Sequence, residues 1–417
     1  MSDIKIQPSA TGSGTVTITA PTTNTARVIT LPDSAGTLLD ENSSVPSANL
    51  TGTVVDARIS ALTASKLTGD LPAISGVNVT NVHAVNSGRK NMIINGAMNV
   101  AQRGASQAGY TARGYYTCDR WLHEKAAATG TFTMTQEADA PAGFKNSLKV
   151  NCTTAGTSGD YDSIHNKIEA QDLSHLEWGT ASAKSITLSF WVKASQTGTM
   201  QFNLLHYADA GTRQISYLYT IDSANTWEKK TVTFAGDTVR ANDDDNSQGF
   251  ILEWFLNSYG GRTGSSVLTS WGNYTNAARF EGATIAIGDS TSDTWQITGV
   301  QLELGSVATD FEHRSFGEEL ALCQRYFTQI TMLAGAGYAT AADQSSRAYT
   351  GVIFPVKMRA TPSSTASSLV ITGANINGIF LSSYITNQGH AVGANSSSSG
   401  SQFWNIDSGS INYDAEL

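Results

Sequence analysis

The sequence predicts an all-β chain in four parts: an N-terminal β segment (residues 1–40), a repetitive shaft (41–87), a jelly-roll β-sandwich (88–315), and a small C-terminal β domain entered through one linking helix (316–417). Three observations predict it. Charged residues make up only 15% of the chain while Gly, Ser, Thr and Asn are abundant, a turn-rich composition. Apolar residues alternate with polar ones in short runs, the period of a strand with one buried face. A short Leu-Thr-Gly unit also returns at a fixed interval.

Residues 1–40 hold two strand-like runs, Thr15-Val16-Thr17-Ile18-Thr19 and Arg27-Val28-Ile29-Thr30-Leu31, separated by Pro21 and Asn24. They predict a hairpin with one apolar face. An isolated hairpin is marginal in water, so this one docks either on its own copies or on another protein. In the shaft, Ala48-Asn49-Leu50-Thr51-Gly52 returns seventeen residues later as Ser65-Lys66-Leu67-Thr68-Gly69, and Ser75-Gly76-Val77 begins a degenerate third unit. One unit carries too few apolar side chains to offset the roughly 1–2 kcal/mol per residue lost on ordering its backbone. Parallel copies wrapped round an axis supply the missing surface, with Leu50, Val54, Leu67 and Leu71 meeting their equivalents. This reads as a trimeric fibre shaft rather than a flexible linker, because linkers do not repeat Leu regularly.

The sandwich is announced by Ser185–Ala194, where Ile186, Leu188, Phe190 and Val192 share one face and Thr187, Ser189, Trp191 and Lys193 the other. Met200–Tyr207, Lys230–Phe234, Phe250–Leu256 and Ala283–Ile287 read as further strands. From Trp295 to Leu304 the alternation slips at Gly299, which predicts a β-bulge there. Ser315–Phe327 reads as the helix, with Ser315 as cap and Glu318 at the capping-box position. Beyond it, Ala348–Pro355, Ser368–Thr372, Gly378–Ile385, Gln402–Ile406 and Ser410–Tyr413 read as strands, with Asn377-Gly378 as a hairpin turn.

Composition also narrows the function. A formal net charge of −9 with scattered Lys and Arg argues against a nucleic-acid partner and against an anionic membrane surface. No apolar run approaches the roughly 20 residues that span a bilayer, and Met1–Ile6 lacks a signal-peptide pattern, so folding in a cytoplasm is expected. Cys118, Cys152 and Cys323 are distant from one another and without metal spacing, which predicts buried, reduced thiols.

Several stretches together resemble tailed-bacteriophage tail fibre proteins. They are Asn91-Met92-Ile93-Ile94-Asn95-Gly96-Ala97-Met98-Asn99-Val100-Ala101-Gln102-Arg103-Gly104, Cys118-Asp119-Arg120-Trp121, Ile297-Thr298-Gly299-Val300-Gln301-Leu302-Glu303-Leu304-Gly305, Glu319–Phe327 and Phe354–Pro362, in the expected order. Ser189-Phe190-Trp191-Val192-Lys193-Ala194 is similar to carbohydrate-binding-module jelly rolls. The resemblance implies a homotrimeric virion fibre, assembled in the bacterial host cytoplasm. It would attach to the phage tail or an adaptor through residues 1–40 and bind a bacterial surface glycan, such as lipopolysaccharide, with its distal domains. It implies no enzyme, no cofactor, no nucleic acid and no membrane insertion. The rivals are a polysaccharide depolymerase tailspike and a purely architectural tail component.

For a sugar receptor, Trp and Tyr rings offer stacking faces while Asn and His offer hydrogen bonds. Tyr384, Asn387, His390, Trp404, Asn405 and Tyr413, among Ser, Gly and Asn in the last domain, are the expected receptor-binding set. The loop from Tyr259 to Tyr274, with Trp271, is a second candidate. Gly288-Asp289-Ser290 followed by Asp310-Phe311-Glu312-His313 looks like the blocks of a GDSL-type esterase, but the helices that separate them in that family are missing. Asp243-Asp244-Asp245-Asn246 lacks the glycine position of a calcium loop and reads as a solvated turn.

Overall fold

The computed structural model describes Thr11 and residues 89–417, apart from 127–128, 158–160, 333–334, 342–346, 375 and 397–399. The expected attachment segment and shaft lie outside the described residues. All the strands below belong to one compact unit, His83–Leu417.

Thirteen strands build a two-sheet antiparallel sandwich. In chain order they are β1 (Ser106–Tyr110), β2 (Gly114–Tyr115), β3 (Trp121–Ala126), β4 (Thr131–Glu137), β5 (Ser147–Thr154), β6 (Tyr161–Glu169), β7 (Ile186–Ala194), β8 (Gly198–His206), β9 (Arg213–Ile221), β10 (Glu228–Phe234), β11 (Gln248–Ser258), β12 (Gly272–Asn273) and β13 (Thr294–Leu304). One sheet runs β1-β4-β5-β13-β7-β10 and the other β12-β9-β8-β11-β6-β3-β2. The predicted inner face of β7 is borne out: Ile186, Leu188, Phe190 and Val192 are fully buried. Across the core Phe190 meets Trp254 of β11 edge to face, with ring centroids 5.7 Å apart, and Trp254 also packs on Phe202 and Trp121. Cys118, Cys152 and Cys323 are buried and free.

The bulge in β13 falls where the alternation slips. Its pairing with β7 breaks register between Thr298 and Gln301, and Gly299 takes a φ of +60°. Ala283–Ile287, by contrast, forms no strand. Thr284 and Ile285 both donate to the Thr199 carbonyl of β8 and Ile287 donates to Leu256 of β11. The segment bridges the ends of two neighbouring strands, so it cannot run alongside either as a ladder.

Helix α1 (Phe316–Gln324) is shorter than expected. Ser315 caps it by accepting from the Glu318 N–H at 3.3 Å, but the Glu318 carboxylate turns to Arg89 instead of closing a capping box. Seven strands follow: β14 (Phe327–Thr331), β15 (Gly335–Ala341), β16 (Arg347–Ile353), β17 (Ser363–Ala374), β18 (Ile376–Ile385), β19 (Gly389–Ser396) and β20 (Gly400–Asp414). The long β20 pairs with β14, β15 and β17, while β16-β19-β18 forms a second sheet. Asn377-Gly378 is not a hairpin turn; β18 runs through it, shifting register between Ile376 and Ile379 with Gly378 at φ +114°. The two expected final strands are one, continuous through Gly409 at φ +116°. A glycine with positive φ serves a bulge as readily as a turn, and here the strand continues past it.

α1 is not a spacer. Glu319 on it accepts from the Asn95 N–H at 2.6 Å, Cys323 is fully buried, and the chain after it returns to the sandwich. Arg325 makes a two-point contact with Glu169 of β6 at 2.8 and 2.7 Å, and Tyr326 donates its hydroxyl to the same carboxylate. The Arg120 guanidinium, only 1% exposed, lies 3.4 Å from the centre of the Tyr326 ring, pairs with Glu416, and donates to the Lys167 carbonyl. Lys167 donates to the Leu417 carbonyl at 2.7 Å. The C-terminal sheets are therefore joined to the sandwich through a buried, charged seam.

Candidate functional site

The outer face of the seven-stranded sheet carries a polar row that the inner face lacks. Alternation turns Phe250, Leu252, Trp254 and Leu256 of β11 into the core and leaves Glu253 outward. Cross-strand register then aligns Glu253 with His165 of β6 and Asn203 of β8, and Asn203 with Ser216 of β9. The four side chains stand side by side across the sheet.

Glu253 is the hub. Its carboxylate accepts from Asn203 Nδ2 at 2.9 Å, Arg279 Nε at 3.0 Å and Ser163 Oγ at 3.2 Å, and contacts His165 Nε2 at 2.8 Å. Burial pushes the carboxyl up, but the Arg279 charge and the hydrogen bonds from His165 and Arg279 outweigh it and hold Glu253 far below the usual carboxylate range. The Arg279 guanidinium is raised in turn by Glu253, against its own burial. Arg279 comes from the connection after β12, so the network also fastens that loop to the sheet.

Above the row lies a cleft of about 250 Å³ walled by Tyr161, Tyr207 and Tyr274, with Glu124, Lys167 and Arg113 at its edge. Arg262 lies over the Tyr161 ring at 4.1 Å, and Arg113 pairs with Glu124 at 3.1 Å. Burial and the Tyr274 phenol push Tyr207 up to about 12, and burial with Arg113 nearby brings Lys167 down to about 8. His165 forms part of the lining, and burial holds its pKa below the usual imidazole value. Because Glu253 only accepts, His165 Nε2 carries the proton and Nδ1 keeps a lone pair. That nitrogen is buried, 3.9 Å from Glu124 Oε2, and has no donor among the described residues. A hydroxyl entering the cleft could donate to it.

The group is not a nucleophilic triad. Ser163 and Glu253 both contact the same ring nitrogen of His165, so no base on one side is oriented by an acid on the other. The esterase-like blocks are not assembled either: the Ser290 hydroxyl bonds Ser292, while His313 packs between Phe144 and Phe311. Among the described residues no cluster of three His, Cys, Asp or Glu could hold a metal ion. In the acidic run, Asp243 accepts from the Asp209 N–H of another loop, and Asp245 accepts from the Ser247 N–H, a local turn bond.

The expected receptor set is dispersed. Tyr384 is 69% exposed and forms an edge-to-face pair with Tyr349 at 5.9 Å. Asn387 lines a separate cleft beside Met358 and Arg359. His390 and Tyr413 are core residues, which corrects their placement at a binding surface: they are 3% and 0% exposed, hydrogen-bonded to each other at 3.2 Å, and Tyr413 packs against Phe354 in a tilted pair with ring centroids 4.5 Å apart. Alternation along β20 and β19 turns both inward onto the second core. The side chains of Trp404 and Asn405 lie outside the described residues. Of the Tyr259–Tyr274 loop, Tyr274 reaches the cleft, whereas Trp271 donates to the Ala235 carbonyl and Tyr259 to Gly288.

The cleft residues did carry one signal in the sequence. Glu253 stands inside the run Phe250-Ile251-Leu252-Glu253-Trp254-Phe255-Leu256, where a carboxylate needs a buried partner.

No protein-family model matches the chain, and no curated protein matches it. Among solved structures it is similar to the enzymatically active domain of tailspike protein 4 of bacteriophage CBA120, at 12% identity and TM-score 0.29, over 51% of this chain and 21% of that one. It is also similar to a family 11 carbohydrate-binding module of Clostridium thermocellum, at 11% identity and TM-score 0.25, over 50% and 98%. A third likeness, at 10% identity and TM-score 0.25, is to the N-terminal carbohydrate-binding and catalytic modules of a Clostridium thermocellum xylanase, over 50% and 30%. Scores this low assign neither activity nor ligand.

Proposed function

We propose that the chain is a receptor-binding bacteriophage tail fibre that holds a bacterial surface glycan in the cleft on the seven-stranded sheet. The observation that carries the reading is the pairing of tyrosine walls with a buried, unengaged acceptor. Pyranose C–H faces suit Tyr161, Tyr207 and Tyr274, while a sugar hydroxyl donates to His165 Nδ1 and accepts from Arg113 or Lys167. The Glu253 network is already in place, so binding spends little free energy on ordering the site. Binding without cleavage is supported by the pairing of each carboxylate near the cleft: Glu253 is answered by Arg279 and Glu124 by Arg113.

The test is titration with host lipopolysaccharide oligosaccharide. Tyr161→Ala should weaken binding about tenfold, the order of one lost stacking contact near 1 kcal/mol or slightly more, with melting nearly unchanged. Unaltered binding in Tyr161→Ala together with loss in Tyr384→Ala would move the site to the last domain. New reducing ends after incubation with host polysaccharide would make the protein a depolymerase.

The fibre reading further includes a trimer joined along residues 41–87 and attachment through residues 1–40, supported by the repeated Leu positions. Leu67→Asp should weaken assembly in sedimentation, because it buries an unpaired charge at the axis. Deletion of residues 1–40 should leave a trimer that binds cells but no longer enters virions.

A further inference from the structure

A second cleft, of about 910 Å³, opens where residues 89–94, α1 and residues 357–359 meet the 3-10 turn Ala170–Leu176. Part of its lining is apolar, with Met92, Leu304, Leu322 and Met358. One end gathers Arg325, Lys357 and Arg359 beside Asn246 and Asn387, and main-chain bonds bring these together. Arg359 N donates to the Arg325 carbonyl and Met358 N to the Asn387 carbonyl, both at 2.8 Å, and Asn246 Nδ2 donates to the Arg359 carbonyl at 2.7 Å.

Three cations of this cleft already have an acid. Arg89 pairs with Glu318, Arg314 with Glu319 and Arg325 with Glu169. Lys90, Lys357 and Arg359 do not, and the Lys90 ammonium is engaged by the Thr309 hydroxyl and the Asp310 carbonyl. The Arg359 guanidinium donates to the carbonyls of Ala415, Asn246 and Glu416, all neutral acceptors, and both of its Nη atoms keep a further N–H. Lys357 makes no ion pair among the described residues. The two carboxylates of the lining do not answer them: Asp245 is bonded to the Ser247 N–H and hydroxyl, and the Asp172 carboxyl is raised by burial and by Glu169. Lys357 and Arg359 lie together beside apolar surface without a counter-ion, in a chain whose net charge is −9.

We propose that this cleft is a second ligand site, taking an acidic saccharide whose phosphate or carboxylate meets Lys357 and Arg359 while its ring lies on the half-buried Met92 and Leu322. A guanidinium with free N–H groups suits a fork of oxygens, and Lys357 adds a charge-assisted hydrogen bond. The site is independent of the tyrosine cleft.

Isothermal titration of the full chain with glucose 1-phosphate, glucuronate, inorganic phosphate and glucose tests it. Glucose 1-phosphate or glucuronate should bind, their order identifying the acid. Glucose should not bind, and inorganic phosphate should bind more weakly than the sugar phosphate. Lys357→Gln should lower affinity for the acidic sugars about tenfold without changing the melting temperature, and Tyr161→Ala should leave it unaltered. Arg359→Gln also loosens the seam, so Lys357→Gln decides. Equal binding of glucose, no binding of either acidic sugar, inorganic phosphate as tight as glucose 1-phosphate, wild-type affinity in Lys357→Gln, or loss in Tyr161→Ala would each overturn the proposal.

Discussion

Glu253 joins sequence, packing and electrostatics in one side chain. Replacing it by Gln leaves Arg279 buried without its acid, a change expected to cost about 3 kcal/mol, measured as a lowered urea midpoint. The pH dependence follows from the same group. Its carboxyl titrates lower when folded than when unfolded, so its stabilisation is complete above about pH 4.5, the ordinary glutamate value, and is lost as pH falls below it. His165, lowered by burial, begins the loss earlier, below about pH 6.5. Urea midpoints should therefore fall in two stages on acidification, and Glu253→Gln should remove the lower one. This residue was legible in the sequence as a carboxylate inside an apolar strand. The cleft around it was not, because Tyr161, Tyr207 and Tyr274 come from three places that only cross-strand register brings together. Register also misled the last-domain set: His390 and Tyr413 sit amid polar residues in sequence, yet face inward.

At the scale of elements, local rules worked where alternation and packing agree. The β13 bulge was readable from its broken period, and the structure adds why Gly is needed: a Cβ on Gly299 would lie 2.6 Å from the Phe144 ring and 3.0 Å from Trp191. Gly299→Ala should cost about 1–3 kcal/mol from the positive φ and this overlap. Adding Phe144→Leu should recover part of the loss in a double-mutant cycle. Ser315→Ala should cost about 1 kcal/mol, because it removes the acceptor for the Glu318 N–H. The misreadings share a cause. Asn377-Gly378, the break between Ile406 and Ser410, and Ala283–Ile287 were read from local sequence alone, whereas a partner strand decides whether such residues turn the chain, bulge it or leave it unpaired.

For the molecule as a whole, the seam between sandwich and C-terminal sheets is decisive. Arg120 is buried between Tyr326 and Glu416, so Glu416→Gln should leave a guanidinium without its acid and cost about 3 kcal/mol. Calorimetry should then resolve two unfolding steps where the intact chain gives one. Sequence alone suggested a helix linking two β domains; the Arg325–Glu169 and Arg120–Glu416 contacts that join the two parts connect residues 156 and 296 positions apart, which no local pattern records. The same seam bears on how such chains recombine. A chimera spliced at α1 would pair Arg120 and Glu169 of one parent with foreign equivalents of Glu416, Arg325 and Tyr326, and would inherit buried charges that match only by coincidence. A graft made at Val82–His83, the border of the compact unit, carries both sides of the seam together, and is the exchange point expected to keep every buried charge with its partner.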